Sequence, residues 1–240
     1  MATITALSTL TKVQTILQDT TGIRWPIDDE LLGWLNDGQR EVVLNKPEAS
    51  VKNESVTLTT GSTKQTIPAA GIMLVDVVRN MGAAGSTPGK AVRLVTRDVL
   101  DAQRPDWHSD ANTGNYIQHF MYDPRDPKTF YVYPKAPATA LYLELVYSAA
   151  PTDCATTAST IGVDDIFANA LLDYVLYRAY SKDAEYAANG QLALAHYTAF
   201  ANAFGIKPQN EQSRNPNTTI SNMAYNPAVP SGSTGASTGK

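Results

Sequence analysis

The run Gly85-Ser86-Thr87-Pro88-Gly89-Lys90 is the segment of this sequence that comes nearest to a catalytic motif. A phosphate-binding loop also ends in Gly-Lys before a helix, and its backbone N–H groups surround the phosphates. Here Ala84 stands at the position of the first glycine, Ala91 at the position of the hydroxyl that binds magnesium, and Pro88 lacks a backbone donor. The run therefore predicts a glycine-rich loop and no nucleotide site.

Asp106 and His108 flank Trp107 and could act as an acid–base pair in a small hydrolase. The sequence positions no nucleophile beside them, so a loop is the preferred interpretation and the hydrolase is kept as an alternative. The other histidines are His119 and His196, and no two of the three have the spacing that would place both on one helix face. We therefore expect no catalytic residue, no metal and no cofactor.

The single cysteine, Cys154, excludes an intramolecular disulfide and a cysteine-based zinc site within one chain. No histidine or basic residue stands near it, which favours a small apolar residue over a reactive thiol. The segment from Met1 to Leu10 lacks the cationic start and the apolar run of a signal peptide, and no stretch approaches ~18 consecutive apolar residues. We therefore expect no membrane contact and a cytosol-like compartment.

The overall charge argues against a protein that grips duplex DNA. The 240 residues carry a formal net charge of −4 and no basic run, whereas DNA binding needs clustered Lys and Arg that displace counterions from phosphates. A DNA-binding module is kept as an alternative that the salt dependence of DNA retention would test. The hydrophobic fraction of 43%, with 18% charged residues, suits one large domain or one domain with an appendage.

Apolar residues recur every three or four positions in the first part of the chain, which predicts two helices. The first helix, over about 6–21, ends at Gly22, and its apolar stripe consists of Leu7, Leu10, Val13 and Leu17. After a break at Trp25-Pro26, Asp28 is the predicted N-cap of a second helix over about 28–45, which Pro47 ends.

The apolar period changes to two in the middle of the chain, which predicts a β insertion over about 54–148. Residues 54–67 are expected to form a hairpin around the turn Thr60-Gly61-Ser62. Further strands are expected at 72–78, 91–95, 116–122, 129–133 and 141–147, with a short helix at about 96–104.

Helical periodicity returns at Asp164 and predicts helices over about 164–182 and 184–204. Between Ile166 and Tyr180 the polar side chains are confined mainly to one narrow stripe, Asp165, Asn169 and Asp173, so nearly the whole circumference is expected to be buried. One domain core seldom surrounds a helix so fully unless subunits also pack on it. The predicted fold is α+β, mainly a helical bundle of the N- and C-terminal helices with an inserted antiparallel β lobe, in a domain over 1–206.

Residues 207–240 are rich in Asn, Ser, Thr, Gly and Pro, which predicts an extended low-complexity tail. At ~3.3 Å per residue such a tail could reach ~110 Å, enough to cross a neighbouring subunit. Its expected anchors are its sizeable apolar residues, Ile220, Met223, Tyr225 and Val229.

Several longer strings carry a family resemblance. In the first half they are Asp29-Glu30-Leu31-Leu32, Trp34-Leu35-Asn36-Asp37-Gly38-Gln39-Arg40-Glu41, Gln65-Thr66-Ile67-Pro68, Val77-Val78-Arg79-Asn80 and Leu100-Asp101-Ala102-Gln103-Arg104-Pro105-Asp106-Trp107. In the second half they are Phe130-Tyr131-Val132-Tyr133-Pro134, Asn169-Ala170-Leu171-Leu172-Asp173-Tyr174, Tyr177-Arg178-Ala179-Tyr180-Ser181-Lys182-Asp183-Ala184-Glu185-Tyr186 and His196-Tyr197-Thr198-Ala199-Phe200. Over about 6–205 the chain resembles the head-to-tail adaptor (connector) proteins of tailed bacteriophages.

The resemblance implies a structural protein without catalytic residues, assembled as a ring of about twelve copies beneath the portal, through which DNA passes without specific binding. It also implies a place in the virion, after production in the bacterial host cytoplasm, with portal and tail or nozzle proteins as partners. The tail would dock on the portal. The expected partner contacts are Leu172, Tyr177, Tyr186 and Tyr197 on the helices and the four tail anchors. A tail-completion or stopper protein on the tail side is the alternative within this class.

Overall fold

The computed structural model describes residues 2–109, 114–183 and 187–205. The chain divides into two units, Met1–Phe200 and Ala201–Lys240, and of the second unit only residues 201–205 are described. The tail predicted over 207–240, with its four anchors, and Tyr186 therefore lie outside the described residues.

Helices at both ends of the first unit enclose a β region, so the predicted α+β class is confirmed. The helices are α1 Ala6–Leu17, α2 Leu32–Asn45, α3 Arg97–Gln103, α4 Ala168–Lys182 and α5 Ala187–Gly205. The strands are β1 Val51–Thr57, β2 Lys64–Thr66, β3 Gly71–Asn80, β4 Arg93–Leu94, β5 His119–Tyr122, β6 Thr129–Tyr133 and β7 Tyr142–Ala149. Among these described helices none is long and apolar enough to cross a membrane.

Helix α1 ends at Leu17, earlier than its apolar pattern predicts. Gln18 adopts a left-handed conformation with φ of 56°, and its backbone N–H donates to the carbonyls of Gln14 and Thr15. The carboxylate of Asp19 then accepts hydrogen bonds from the backbone of Ile23, Arg24 and Trp25. The chain turns around this carboxylate instead of continuing as a helix to Gly22.

Asp28 is not the N-cap of the second helical segment, so that prediction is wrong. Pro26 occupies the cap position, and its carbonyl accepts from the backbone N–H groups of Glu30 and Leu31, both at 3.1 Å. The first turn, Ile27–Leu31, is π-helical and continues directly into α2. Because the helix begins at Ile27, the N–H that Pro26 lacks would have no acceptor within the helix, so proline costs no helical hydrogen bond here.

The predicted hairpin over 54–67 does not form, because β1 pairs with β7 and β2 pairs with β6. The intervening loop is held by the buried side chain of Gln65, which accepts from the Thr59 N–H and donates to the carbonyls of Thr59 and Ser62 at 2.7–3.0 Å. Alternation of period two shows which face of a strand is buried but does not identify its partner.

The strands form two sheets, in the orders β1-β7-β3 and β2-β6-β5-β4. All pairs among these strands are antiparallel, as predicted for the β lobe, except the two-residue pair of β4 with β5, which is parallel. Helix α3 connects β4 to β5, and a crossover of this kind returns the chain parallel to the strand it left. Side chains from both sheets share one core, including Leu74, Phe130, Val132, Leu143 and Leu145.

Candidate assembly surface

Helix α4 lies at the centre of the helical part and packs against α1 and α2. Leu171, Val175, Leu176 and Ala179 are fully buried, and within the helix only Asn169, Ser181 and Lys182 are exposed. The apolar surface that the pattern predicts around this helix is therefore covered largely by the chain's own helices. The burial of α4 therefore does not require that subunits also pack on it.

Close approach of α2 to α4 depends on Gly38. A Cβ atom at this position would lie 2.9 Å from Cδ1 of Tyr174 and 3.3 Å from Cδ2 of Leu171. The tyrosine ring thus rests on the bare backbone of α2. Burial raises the pKa of its hydroxyl group above the usual value, and Arg178 opposes the rise.

Helix α5 is attached to α4 by a row of ring contacts. The ring centroids of Tyr174 and Phe200 are 5.2 Å apart and those of Tyr177 and Tyr197 are 5.1 Å apart. A polar contact extends the row, since Nδ1 of His196 lies 2.9 Å from Oδ1 of Asp173. These contacts lie on one side of α5, where Ala193 and Phe200 are its buried residues.

The rest of α5 is exposed and uncharged. No Asp, Glu, Lys or Arg occurs among residues 187–205, although most side chains from Ala188 to Ala199 are exposed. Leu192, Leu194 and Tyr197 have exposed fractions of 42%, 66% and 47%. A solvated helix face ordinarily carries charged residues, and an exposed apolar patch marks an interaction site. Leu194 and Tyr197 are three positions apart and share one face of α5, whereas Leu192 lies on the opposite flank of the helix. We call the face that contains Leu194 and Tyr197 the α5 surface.

A family model described as SU10 adaptor protein matches residues 4–222. The chain belongs to this family. The resemblance to phage adaptors is thereby confirmed, and the adaptor is a structural component of a phage virion. No curated protein matches the chain.

The structure separates the predicted contact residues of the adaptor into two groups. Leu172 and Tyr177 are half-buried, and Tyr177 already packs on Tyr197 of the same chain. Tyr197 is exposed on its outer side and belongs to the α5 surface. Leu192 and Leu194 are not among the predicted contact residues, but the absence of charged residues from α5 is a signal that could have indicated them.

The glycine-rich run of the adaptor forms an ordinary loop and leads into an extended segment, not a helix. A Cβ at Gly85, which has φ of 73°, would lie 2.9 Å from Cδ1 of Tyr142, so the loop backbone packs on that ring. Nζ of Lys90 lies 4.0 Å from the centroid of the Tyr116 ring. Glycine and lysine here serve local packing, whereas a phosphate site needs N–H groups at a helix start.

The geometry around Asp106 and His108 does not favour an acid–base pair. Nδ1 of His108 lies 2.9 Å from the hydroxyl of Thr63, and its ring stacks on Trp107 with centroids 3.6 Å apart. Nε1 of Trp107 donates to Oδ1 of Asp101 at 2.7 Å. The segment therefore anchors α3 and its following loop to the β lobe.

Cys154 is buried, and desolvation raises the pKa of its thiol above the usual value. The backbone of Cys154 is held by the side-chain amide of Asn36. This amide accepts a hydrogen bond from the Cys154 N–H at 2.8 Å and donates one to the Cys154 carbonyl at 3.2 Å. A thiol with a raised pKa is a poor nucleophile at neutral pH.

Within the part of the chain that the structure describes, no group of three His, Cys, Asp or Glu residues is arranged to hold a metal ion.

Proposed function

We propose that this adaptor forms a homo-oligomeric ring of about twelve copies between portal and tail, through which the phage genome passes. The observation that carries the proposal is the α5 surface, an uncharged helix face that the chain itself leaves exposed. The surface is already attached to the rigid helix α4 by the contacts of Tyr174 and Tyr177. A neighbouring copy would gain apolar burial there without reorganising the helices.

Net charge supports passage of DNA without retention. The chain has a formal net charge of −4, and retention would require clustered cations whose contacts release phosphate counterions. DNA retention that falls steeply with salt concentration would contradict this part of the proposal and favour a DNA-binding module.

Native mass spectrometry of the purified chain, alone and with its portal, tests the ring. The wild type should form rings, and Leu194→Asp should shift the population to monomers because the new carboxylate would have to be buried. Val75→Asp, at a half-exposed valine in β3, is the matched control and should keep rings intact. Intact rings of the Leu194→Asp variant would contradict the assignment of the α5 surface, and a wild-type monomer under both conditions would contradict the ring.

Leu172→Asp and Tyr177→Asp are less informative, although both residues were predicted as contacts. Each is half-buried within its own chain, so a charge would destabilise the fold before it affected a neighbour. Circular dichroism of any such variant is needed before a loss of rings is interpreted.

Portal docking is assigned to the tail anchors Ile220, Met223, Tyr225 and Val229, and copurification tests it. Joint replacement of the four by Ser should release the portal while rings persist. If the tail-tube protein copurifies with the wild type and the portal does not, the chain is instead a tail-completion or stopper protein. The small hydrolase is tested by His108→Ala, which would have to abolish an activity while assembly stays intact.

A further inference from the structure

Helix α1 presents a second exposed stripe that carries no charge. Its buried residues are Ala6, Thr9, Leu10 and Val13. Leu7, Thr11 and Thr15 are exposed and follow one another at intervals of four residues, so they share one side of the helix. Lys12 is the one charged residue of α1, and it lies toward the flank of Ile16, four positions on. We call Leu7, Thr11 and Thr15 the α1 surface.

The threonine hydroxyl groups of the α1 surface already have partners within the helix. Oγ1 of Thr11 donates to the carbonyl of Leu7, and Oγ1 of Thr15 donates to the carbonyl of Thr11, both at 2.8 Å. The α5 surface repeats this arrangement, since Oγ1 of Thr198 donates to the carbonyl of Leu194 at 2.8 Å. A neighbouring protein can therefore cover either stripe without leaving a hydroxyl donor unpaired, which is the costly way to bury a polar group.

The two surfaces lie on different sides of α4. Helix α5 packs on the side of Tyr177, whose ring centroid lies 5.1 Å from that of Tyr197. Val175 and Ala179 are each two positions from Tyr177, about 200° around the helix, and both are fully buried. Helix α1 also packs on α4 and takes this side, next to α2 at Tyr174. The exposed stripe of α1 therefore points away from α5.

We propose that the α5 surface of one copy packs on the α1 surface of the next copy. The inference rests on the proposed function, because a closed ring of identical copies needs two different contact faces on each copy. The two faces match in charge, since neither stripe brings an ionised group that the other would have to pair, and Lys12 at the flank can keep its ammonium group in water.

The outer face of α2 fits the α5 surface less well. There Arg40 forms ion pairs with Asp37 at 2.9 Å and with Asp153 at 2.5 Å. An uncharged neighbour would remove water from these ionised groups and offer no hydrogen bond in return, which costs free energy. The α1 surface is thus the helix face that the α5 surface can cover without this cost.

Native mass spectrometry of full-length variants tests the role of α1. Thr11→Asp, on the α1 surface, should abolish rings and leave folded monomers, because its carboxylate would be buried against the next copy. Leu44→Asp, at a leucine of α2 that is 75% exposed, is the control and should form rings like the wild type. Rings of the wild type together with intact rings of Thr11→Asp would overturn this pairing and leave the ring itself standing. A wild-type monomer, alone and with its portal, would instead contradict the ring and the pairing together.

Cysteine cross-linking tests which faces meet and does not depend on a disruptive substitution. Thr11→Cys combined with Leu194→Cys, treated with a short bismaleimide, should give a ladder of covalent multimers up to the size of the ring. A link within one copy would have to span two interhelical spacings of ~8–10 Å each, across α4. Neither single variant should cross-link, because each then offers one reactive thiol on one face and the native Cys154 is buried. Dimers from Leu194→Cys alone would show that two α5 surfaces face each other, and a double variant that stays monomeric within intact rings would equally overturn the pairing.

Discussion

Gly38 of α2 and Tyr174 of α4 touch so closely that a methyl group cannot fit between them. A Cβ at Gly38 would lie 2.9 Å from Cδ1 of the tyrosine, whose ring is buried and also contacts Phe200 of α5. The tyrosine therefore joins three helices, and the glycine determines how near α2 comes to the other two. This contact makes the helical part sensitive to a single methyl group.

Gly38→Ala should lower the free energy of unfolding by about 1–3 kcal/mol, because overpacking outweighs the gain in helix propensity. Gly33→Ala in the same helix is the control, since no atom lies within 4 Å of its Cβ position. The control should raise stability by about 0.5–1 kcal/mol. Urea denaturation of both variants measures the change in the free energy of unfolding. If Gly38→Ala and Gly33→Ala changed it equally, α2 and α4 would be able to move apart without loss of stability.

Asp19 should make stability depend on pH. Backbone hydrogen bonds, first that of Trp25, hold its pKa below the usual value, so its contribution is present above the unfolded-state pKa and is lost as pH falls through the lower folded-state pKa. The stability difference between wild type and Asp19→Asn should therefore be constant near neutral pH and shrink below about pH 4. Asp106→Asn, at an exposed loop position, serves as the control. A difference that did not change with pH would contradict this role of the carboxylate.

Substitutions at Phe200 and Tyr197 should distinguish the attachment of α5 to α4 from the assembly of copies into rings. Phe200 is buried against Tyr174, and Phe200→Ala should cost about 3–5 kcal/mol of stability. Tyr197 is 47% exposed, so Tyr197→Ala should cost less in the monomer and weaken rings more. Thermal unfolding of unassembled protein, together with native mass spectrometry, distinguishes the two effects. If both variants lowered monomer stability and ring formation in the same proportion, Tyr197 would have no separate role in contacts with a neighbouring copy.

The sequence predicts the elements of this fold better than their partners. Apolar spacing indicates the two N-terminal helices and most strands, because burial of one face imposes a period. The partner of β1 is β7, ~90 residues away, and nothing local to residues 51–57 encodes that choice. The parallel pairing of β4 with β5 likewise depends on how α3 leads the chain back to the sheet.

For the candidate assembly surface, too, the sequence predicts which residues are buried better than what buries them. The narrow polar stripe at Asn169 and Asp173 correctly indicates a helix buried on nearly all sides, but it does not show whether the covering helices belong to the same chain. The structure supplies α1, α2 and α5 as the cover for α4. The sequence also shows that residues 187–205 carry no Asp, Glu, Lys or Arg. Because α4 is covered within the chain, this uncharged segment is the sequence feature that still indicates an assembly surface.

Asn80 should be essential to the β lobe. Its buried amide donates to the carbonyls of Lys90 and Ile117 and accepts from the N–H of Ile117, each at 2.8 Å, and so joins the end of β3 to the segments before β4 and β5. Asn80→Leu should cost about 2–4 kcal/mol because the N–H of Ile117 and at least one carbonyl lose their partners inside the core. Asn53→Leu, at an exposed position of β1, should change stability by less than about 0.5 kcal/mol. Hydrogen exchange at the Ile117 amide gives a local measure, since protection lost in Asn80→Leu and kept in Asn53→Leu is expected. Protection that survived Asn80→Leu would mean that backbone pairing alone holds this junction.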